Sequence, residues 1–242
     1  MGYLTGLDQQ KVYLKELESG QYITIDSTVI LEGKFFFSGK IAEPEIFIIS
    51  IEQKQLQLMI GNENVVIKGD WNLFPKVSIS GSEINKEWVV YNNTILIPAR
   101  TSLIKLFGEM KTANENNDTL LINILHKEND SIYLSQLQET KNYILQHNNT
   151  YLALSLLDYY WKSFKTQDKV SLFKSLNKGL QRYPSYKKLV ENIKIENDLA
   201  INKVAPFVEV KNEKNEILTP ASFRGKLLLI NFCASWCGPC RA

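Results

Sequence analysis

Residues 45–52 read EIFIISIE, an almost unbroken run of β-branched and aromatic residues that begins directly after Pro44. Such residues favour strands, and a proline often marks where a strand starts. Similar runs surround it: KVYLKEL, QYITIDSTVI and GKFFFSGKI before it, and LQLMI, VVIKG and KVSISGS after it. LQLMI and VVIKG flank the four-residue stretch GNEN, which predicts a hairpin. Residues 1–83 are therefore predicted to form a β-rich domain, either an antiparallel sandwich or an open barrel.

The hydrophobic period then changes, and residues 84–200 are predicted to form a helical connector. Within it, residues 131–147 place apolar side chains on one helical face, with Asp130 or Ser131 as the N-cap. Pro98 is predicted to interrupt the helices. A β-rich region followed by a helical one indicates an α+β chain.

Composition excludes several classes of function. The 242 residues carry 28 basic and 26 acidic side chains, and no basic run indicates a nucleic-acid partner. No apolar run approaches the ~20 residues of a transmembrane helix. The opening MGYLTGLDQQ also lacks the charged and apolar regions of a secretory signal.

The pattern changes once more after residue 200. VAPFVEV and ILT flank the polar stretch KNEKNE and predict a hairpin, and the residues before Gly225 predict a single helical turn. KLLLINFCA, at 226–234, is a near-continuous apolar run, which is typical of a strand buried on both faces. Directly after it, the sequence Cys-Gly-Pro-Cys at 237–240 is predicted to open a helix.

This C-x-x-C sequence indicates thiol–disulfide chemistry. The thiolate is the reactive form of cysteine, and a helix N-terminus stabilises it through free amides and the helix dipole. Cys237 is the predicted nucleophile, and Cys240, about one turn later, the predicted resolving thiol. Pro239 fits the first helical turn, where a missing N–H costs nothing. Gly238 allows the partner sulfur to approach, and Trp236 offers an apolar platform for the substrate.

Two other interpretations of the cysteines remain open. A zinc site needs four ligands, and only Cys233, His126 and His147 are available beside the pair, without matching spacing. The two thiols of the pair could instead be buried and inert. Cys233, within the apolar run, is predicted to be a small core residue. No metal and no cofactor are predicted.

Residues 223–241, FRGKLLLINFCASWCGPCR, resemble the active-site region of TlpA-like thiol–disulfide oxidoreductases, a branch of the thioredoxin superfamily. The upstream VAPFVEV and NEILTPASF are similar to the opening hairpin of that branch. DSTVILEGKFFFSG, LQLMIGNENVVIKGD and VSISGSEIN resemble a β-rich domain of unknown function that precedes such redox domains in Gram-negative bacteria. Family members usually have tryptophan where Cys233 stands.

The resemblance implies that residues 201–242 are the start of a thioredoxin-like domain that is incomplete in this chain. The rest of the active-site helix, further strands and the cis-proline loop opposite the dithiol are expected beyond residue 242. The resemblance also implies Cys237 and Cys240 as the redox pair, and disulfide-containing protein substrates and an upstream thiol reductant as partners. The implied location is the periplasm or cell envelope, with membrane attachment only through an N-terminal signal that precedes this sequence.

The predicted function is thiol–disulfide exchange by the intact protein, in the reducing direction, with the chain as given inactive by itself. The alternative is a non-catalytic module that binds a partner through its β-domain and helices. A third interpretation is an incomplete gene model with no separate biology.

Overall fold

A computed structural model describes residues 1–18, 21–230, 234 and 236–238. Two four-stranded sheets make up the N-terminal region. The first sheet has the order β4-β1-β7-β8, with β1 parallel to β7 and the other pairs antiparallel. The second has the order β3-β2-β5-β6 and is antiparallel throughout. The strands are β1 (Gly2–Thr5), β2 (Lys11–Glu18), β3 (Gln21–Val29), β4 (Lys34–Phe35), β5 (Glu45–Ile51), β6 (Lys54–Ile60), β7 (Val66–Asp70) and β8 (Ser78–Ser80).

Apolar side chains from both sheets form one core. Leu4, Phe35 and Ile67 come from the first sheet, and Ile49 and Leu58 are among those from the second. In β5, Ile49 and Ile51 are two residues apart and therefore point to the same face. The region is thus a sandwich of two sheets, and no barrel closes among the described strands.

The hairpin predicted around residues 61–64 is wrong. β6 pairs with β5 in the second sheet, whereas β7 pairs with β1 and β8 in the first. The chain therefore crosses from one sheet to the other at this turn. Hydrophobic alternation identified both strands but carried no information about their partners, because either pairing buries the same apolar face.

Six helices follow: α1 (Glu83–Tyr91), α2 (Ile97–Glu115), α3 (Thr119–Gln146), α4 (Tyr151–Tyr159), α5 (Thr166–Ser175) and α6 (Pro184–Asp198). A π-helical turn, Asn92–Leu96, joins α1 to α2 without a break. Pro98 therefore does not end the helix. In the widened turn directly before it, the Ile97 amide donates to the Asn92 carbonyl, so the helix continues up to a residue that has no amide to donate.

The N-cap predicted at Asp130 or Ser131 is also wrong. α3 is a single helix of 28 residues, and Asp118 caps it by accepting a hydrogen bond from the Leu121 amide at 2.9 Å. Asp118 satisfies an amide that would otherwise have no partner in the first turn. The apolar spacing of residues 131–147 marked the C-terminal half of a helix that starts twelve residues earlier.

The helices are joined to the sandwich at two places. At the start of α1, the Asn85 side chain accepts a hydrogen bond from the Met59 amide of β6 at 3.0 Å. The second place is the start of α6. There, Glu43 accepts hydrogen bonds from the Ser185 amide (3.0 Å) and the Ser185 hydroxyl (2.6 Å). Both sites pair buried or part-buried polar groups, so neither leaves a backbone donor unsatisfied.

The chain divides into two compact units, Met1–Glu191 and Asn192–Ala242. The second contains a short antiparallel hairpin of β9 (Val210–Lys211) and β10 (Ile217–Leu218). A 3₁₀ turn, Pro220–Phe223, follows it and precedes Gly225, which has φ +80°. The hairpin and the helical turn predicted for this segment are confirmed.

The strand predicted at 226–234 is wrong for the part that the structure describes. Residues 227–230 form no regular structure, and their four apolar side chains are exposed. No described strand lies beside them to accept and donate ladder hydrogen bonds, so the apolar composition alone does not produce a strand. Residues 231–233 of the prediction lie outside the described residues.

Candidate functional site

The candidate site is the cysteine segment near the C-terminus. Its described residues are Ala234, Trp236, Cys237 and Gly238. The Cys237 amide donates a hydrogen bond to the Ala234 carbonyl at 3.0 Å, which closes a tight turn. This local bond holds the backbone of Cys237 against the residues that precede it.

The turn presents Cys237 between two exposed neighbours. Trp236 is 87% exposed and Gly238 is exposed, while Cys237 itself is partly exposed. A Cβ placed on Gly238 would meet no atom within 4 Å, so the space beside it is open. A second protein chain can therefore approach the segment from the side of Gly238 and contact the indole of Trp236.

Cys237 is disulfide-bonded. The sequence contains three cysteines, and the other two are Cys233 and Cys240. Both lie outside the described residues, as does Pro239. The roles predicted for Cys233, Cys240 and Pro239 therefore stay predictions.

The helix predicted to begin at the motif does not include the residues described here. Residues 236–238 form a turn and a bend, and the rest of the motif lies outside the described part of the chain. Stabilisation of the Cys237 thiolate by a helix dipole thus stays a prediction, since it needs helical amides directed at the sulfur.

An apolar hollow of about 340 Å³ lies upstream in the same unit. Val210 and Leu218 of the hairpin, Phe223 of the 3₁₀ turn, and Leu228 and Ile230 line it. Leu229 lines the hollow as well, and all four apolar side chains of residues 227–230 are exposed to solvent.

A second polar cluster, which the sequence did not reveal, joins α1 to the end of α3. Tyr143 donates a hydrogen bond to Glu87 at 2.9 Å, and His147 stacks on the Tyr143 ring with centroids 4.2 Å apart. Burial, followed by the hydrogen bond to Glu87 and the charge of Glu87, raises the pKa of the Tyr143 hydroxyl well above its usual range. The Tyr143 hydroxyl is therefore neutral at physiological pH and can donate its hydrogen bond to Glu87, which is a structural role.

His147 is the C-cap residue of α3. Its Nδ1 atom lies 4.0 Å from Glu87 Oε1. Glu87, Tyr143 and His147 come from positions far apart in the sequence, so no local motif could have indicated them. We interpret the cluster as a contact between helices, because its members interact with one another across α1 and the end of α3.

Two further findings concern metals and membranes. Within the described residues, no three His, Cys, Asp or Glu side chains are grouped closely enough to hold a metal ion. None of the helices described here is both long and apolar enough to span a bilayer.

Comparison with known proteins gives one match. Residues 2–88 match the family model described as "Domain of unknown function (DUF4369)". The match covers the β-sandwich and the first part of α1, and it ends before α2 and the cysteine segment. No curated protein and no solved structure matches this chain.

Proposed function

We propose that the full-length protein is a thiol–disulfide oxidoreductase of the bacterial cell envelope and that Cys237 is its nucleophile. The observation that supports this most directly is the disulfide-bonded, partly exposed Cys237 in a turn between exposed Trp236 and Gly238. A cysteine that serves only to pack a core is usually buried and inert, whereas a reactive cysteine must be accessible to its partner.

The proposed reaction has two exchange steps. The Cys237 thiolate attacks one sulfur of a substrate disulfide; the substrate S–S bond breaks, and one substrate thiolate leaves and takes up a proton. The Cys240 thiolate then attacks the Cys237 sulfur and releases the second substrate thiol. The substrate gains two electrons, and the Cys237–Cys240 pair is oxidised to a disulfide. A thiol reductant returns the pair to the dithiol form.

Trp236 and Gly238 have supporting roles in this proposal. The indole of Trp236 supplies an exposed apolar surface for the substrate backbone. The open space beside Gly238 lets the substrate disulfide reach the Cys237 sulfur, which a side chain at this position would obstruct. Pro239 restricts the backbone between the two cysteines, because its ring fixes φ.

The cell envelope fits this chemistry, since disulfides form and persist mainly in oxidising compartments. The proposed partners are accordingly disulfide-containing proteins as substrates and a thiol donor as reductant.

The test is a disulfide-reduction assay with the full-length protein, a protein disulfide substrate and excess dithiothreitol. Cys237→Ser should reduce the rate at least ~100-fold, because no other group supplies the nucleophile. In a separate reaction without dithiothreitol, pre-reduced Cys240→Ser should accumulate a mixed disulfide between Cys237 and the substrate, which non-reducing electrophoresis detects. Cys233→Ser is the matched control, and we expect it to retain most of the rate. Unchanged turnover in Cys237→Ser would refute the mechanism.

A further inference from the structure

Helix α2 carries a row of apolar side chains that the described chain leaves in solvent. Its inner face packs on α3 through Leu103, Leu106, Met110 and Ala113. On the adjacent face, Ile97 is 46%, Ile104 65% and Phe107 55% exposed. The main neighbours of α2 are α3 and the π-helical turn that precedes it, so most of the circumference of this helix is uncovered.

The exposed residues form a regular row. Ile97, Arg100, Ile104, Phe107 and Lys111 are spaced alternately by three and four residues, which places them along one side of a helix. We call these five residues the outer row. This is the spacing with which helices pair in coiled coils, and the inner face that packs on α3 uses the same spacing.

The outer row can pair with the outer row of a second copy that runs in the opposite direction. When two copies of α2 lie antiparallel with a two-fold axis at Ile104, each Ile104 meets the partner's Ile104. Each Arg100 then meets the partner's Phe107, an arrangement that suits a cation–π contact. Each Lys111 meets the partner's Ile97, and its aliphatic stem can cover that side chain while the ammonium stays in water. A two-fold interface requires this self-complementarity, because the same surface serves both copies.

Gly108 is a second feature of α2 that contacts within the described chain do not explain. It lies in the interior of α2, where glycine destabilises a helix relative to alanine, and a Cβ built on it meets no atom within 4 Å. No steric contact within the described chain explains the missing side chain. In the antiparallel arrangement Gly108 lies opposite the partner's Arg100, so the missing side chain makes room for a guanidinium stacked on Phe107.

We propose that the protein forms a two-fold dimer in which α2 pairs antiparallel with α2 of a second copy through the outer row. Three exposed apolar side chains and the stems of two cationic ones would bury roughly 400–500 Å² per copy, below the ~800 Å² per partner of stable complexes and in the range of weak, transient ones. The dimer is therefore weak, with a dissociation constant on the order of micromolar, and forms reversibly as concentration rises. It does not depend on the thiol chemistry proposed for Cys237.

Helix α3 provides a natural control. Leu120, Ile124, Lys127, Ser131 and Leu134 have the same three-and-four spacing on the side of α3 that faces solvent. Reversing this row pairs Lys127 with the partner's Lys127, so the two ammonium groups would repel each other on the axis. The row on α3 thus has the same spacing as the outer row and is also exposed, but two copies of it cannot pair in the same way.

The first test is sedimentation velocity of the full chain at about 0.1–200 µM, a range that spans the ~micromolar affinity expected for so small an interface. Wild type should pass from monomer to dimer over this range. Ile104→Glu places two like charges on the axis and should weaken dimerisation at least ~tenfold. Ile124→Glu, an equally drastic change on α3, should leave the dimer unchanged. Circular dichroism establishes that both variants remain folded. A wild type that stays monomeric at 200 µM, or equal effects of the two substitutions, would overturn the proposal.

The second test fixes the orientation by disulfide crosslinking in a background where Cys233, Cys237 and Cys240 are all replaced by serine. Ile104→Cys should give a covalent dimer on mild oxidation, because the two side chains meet on the axis. Ile97→Cys should not, because its neighbour is the partner's Lys111. Parallel pairing would crosslink both variants equally and would contradict the proposed arrangement. The proposed dimer would also be excluded if the protein stays monomeric at every concentration and its outer row binds vesicles or peptides instead.

Discussion

Glu43 holds the first turn of α6 from a position 142 residues earlier in the chain. Its two carboxylate oxygens accept the hydrogen bonds of both the amide and the hydroxyl of Ser185. Ser185 is buried, so these donors have no access to water when the carboxylate is removed. The negative charge also lies at the positive end of the α6 dipole, where it is stabilising.

We therefore expect Glu43→Ala to lower the free energy of unfolding by about 1–3 kcal/mol, because it leaves two buried donors unsatisfied. Urea denaturation at neutral pH measures this difference. A change smaller than about 0.5 kcal/mol would show that water replaces the carboxylate without cost.

Glu45 offers the matched control, two residues away. Partial burial, followed by the charges of Glu16 and Glu43, raises the pKa of Glu45. A raised pKa means that the folded state prefers the protonated acid, so the stabilisation is present at low pH and is lost as pH rises through the folded pKa. Glu45→Gln should thus be neutral or slightly stabilising at pH 7, in contrast to Glu43→Ala.

The thiol–disulfide chemistry of Cys237 and Cys240 is predicted from local sequence and stays a prediction, because Cys240 lies outside the described residues. The contact between Glu43 and Ser185, and the cluster of Glu87, Tyr143 and His147, depend on how distant segments pack. No periodicity or motif in the sequence encodes such contacts.

At the scale of elements, a buried hydrogen bond joins α1 to α3. Thr140 donates to the Gln136 carbonyl of its own helix at 2.8 Å. Its oxygen is then the acceptor for the Tyr91 hydroxyl, also at 2.8 Å. Neither Tyr91 nor Thr140 has solvent access. Burial is the main reason why the pKa of Tyr91 is raised well above its usual range, so the hydroxyl stays protonated and can donate.

Thr140→Val should destabilise the protein by about 1–2 kcal/mol, since the Tyr91 hydroxyl loses its acceptor in a buried position. Combining it with Tyr91→Phe should cost less than the sum of the two single changes, with a coupling of at least about 0.5 kcal/mol. Chemical denaturation of the four proteins in the cycle measures this coupling. Tyr133→Phe is the control, because its hydroxyl bonds to Ser163 at an exposed position. Strict additivity would mean that the bond contributes no pairwise stabilisation.

The sequence predicted which segments of the sandwich form strands and which later segments form helices. It did not predict the boundaries of these elements or which strands pair with each other. β5 and β6 follow from their composition, yet the pairing of β7 with β1 joins segments that no local pattern relates. The N-cap of α3 was misplaced because an acidic or hydroxyl side chain caps only where the backbone leaves the helix. Asp130 lies within the helix, whereas Asp118 lies at its start.

At the scale of the whole molecule, burial is unevenly distributed. Among the described residues, every buried hydrophobic side chain lies between Leu4 and Leu189. The segment after residue 199 thus contributes no fully buried apolar side chain in the part described here. Its two strands have two residues each, and an isolated hairpin is marginally stable at best.

A protein ending at residue 199 should therefore unfold cooperatively, with a midpoint temperature within about 3 °C of the full chain. Differential scanning calorimetry of both proteins at equal concentration provides the comparison. A fall of about 10 °C or more would mean that the C-terminal unit contributes substantially to the stability of the first.

The overall α+β class was predictable because the spacing of hydrophobic residues differs between strands and helices: about every second residue in a strand and about every 3.6 residues in a helix. The division into two sheets was not, since both sheets have the same period. The exposure of residues 227–230 was also not predictable. An apolar run indicates what a segment prefers to contact, and only the surrounding structure determines whether those contacts exist.

The position of β1 in its sheet affects how the protein is made. β1 lies between β4 and β7, and the Met1 amine bonds to the Val65 carbonyl, 64 residues away. At about 5–20 residues per second, the ribosome releases β7 roughly 3–13 seconds after β1. During most of that interval β1 can pair only with β4, and the edge of β1 that β7 later covers stays open. β1 is thus synthesised more than 60 residues before β7, and it completes its native pairing only after β7 has been made.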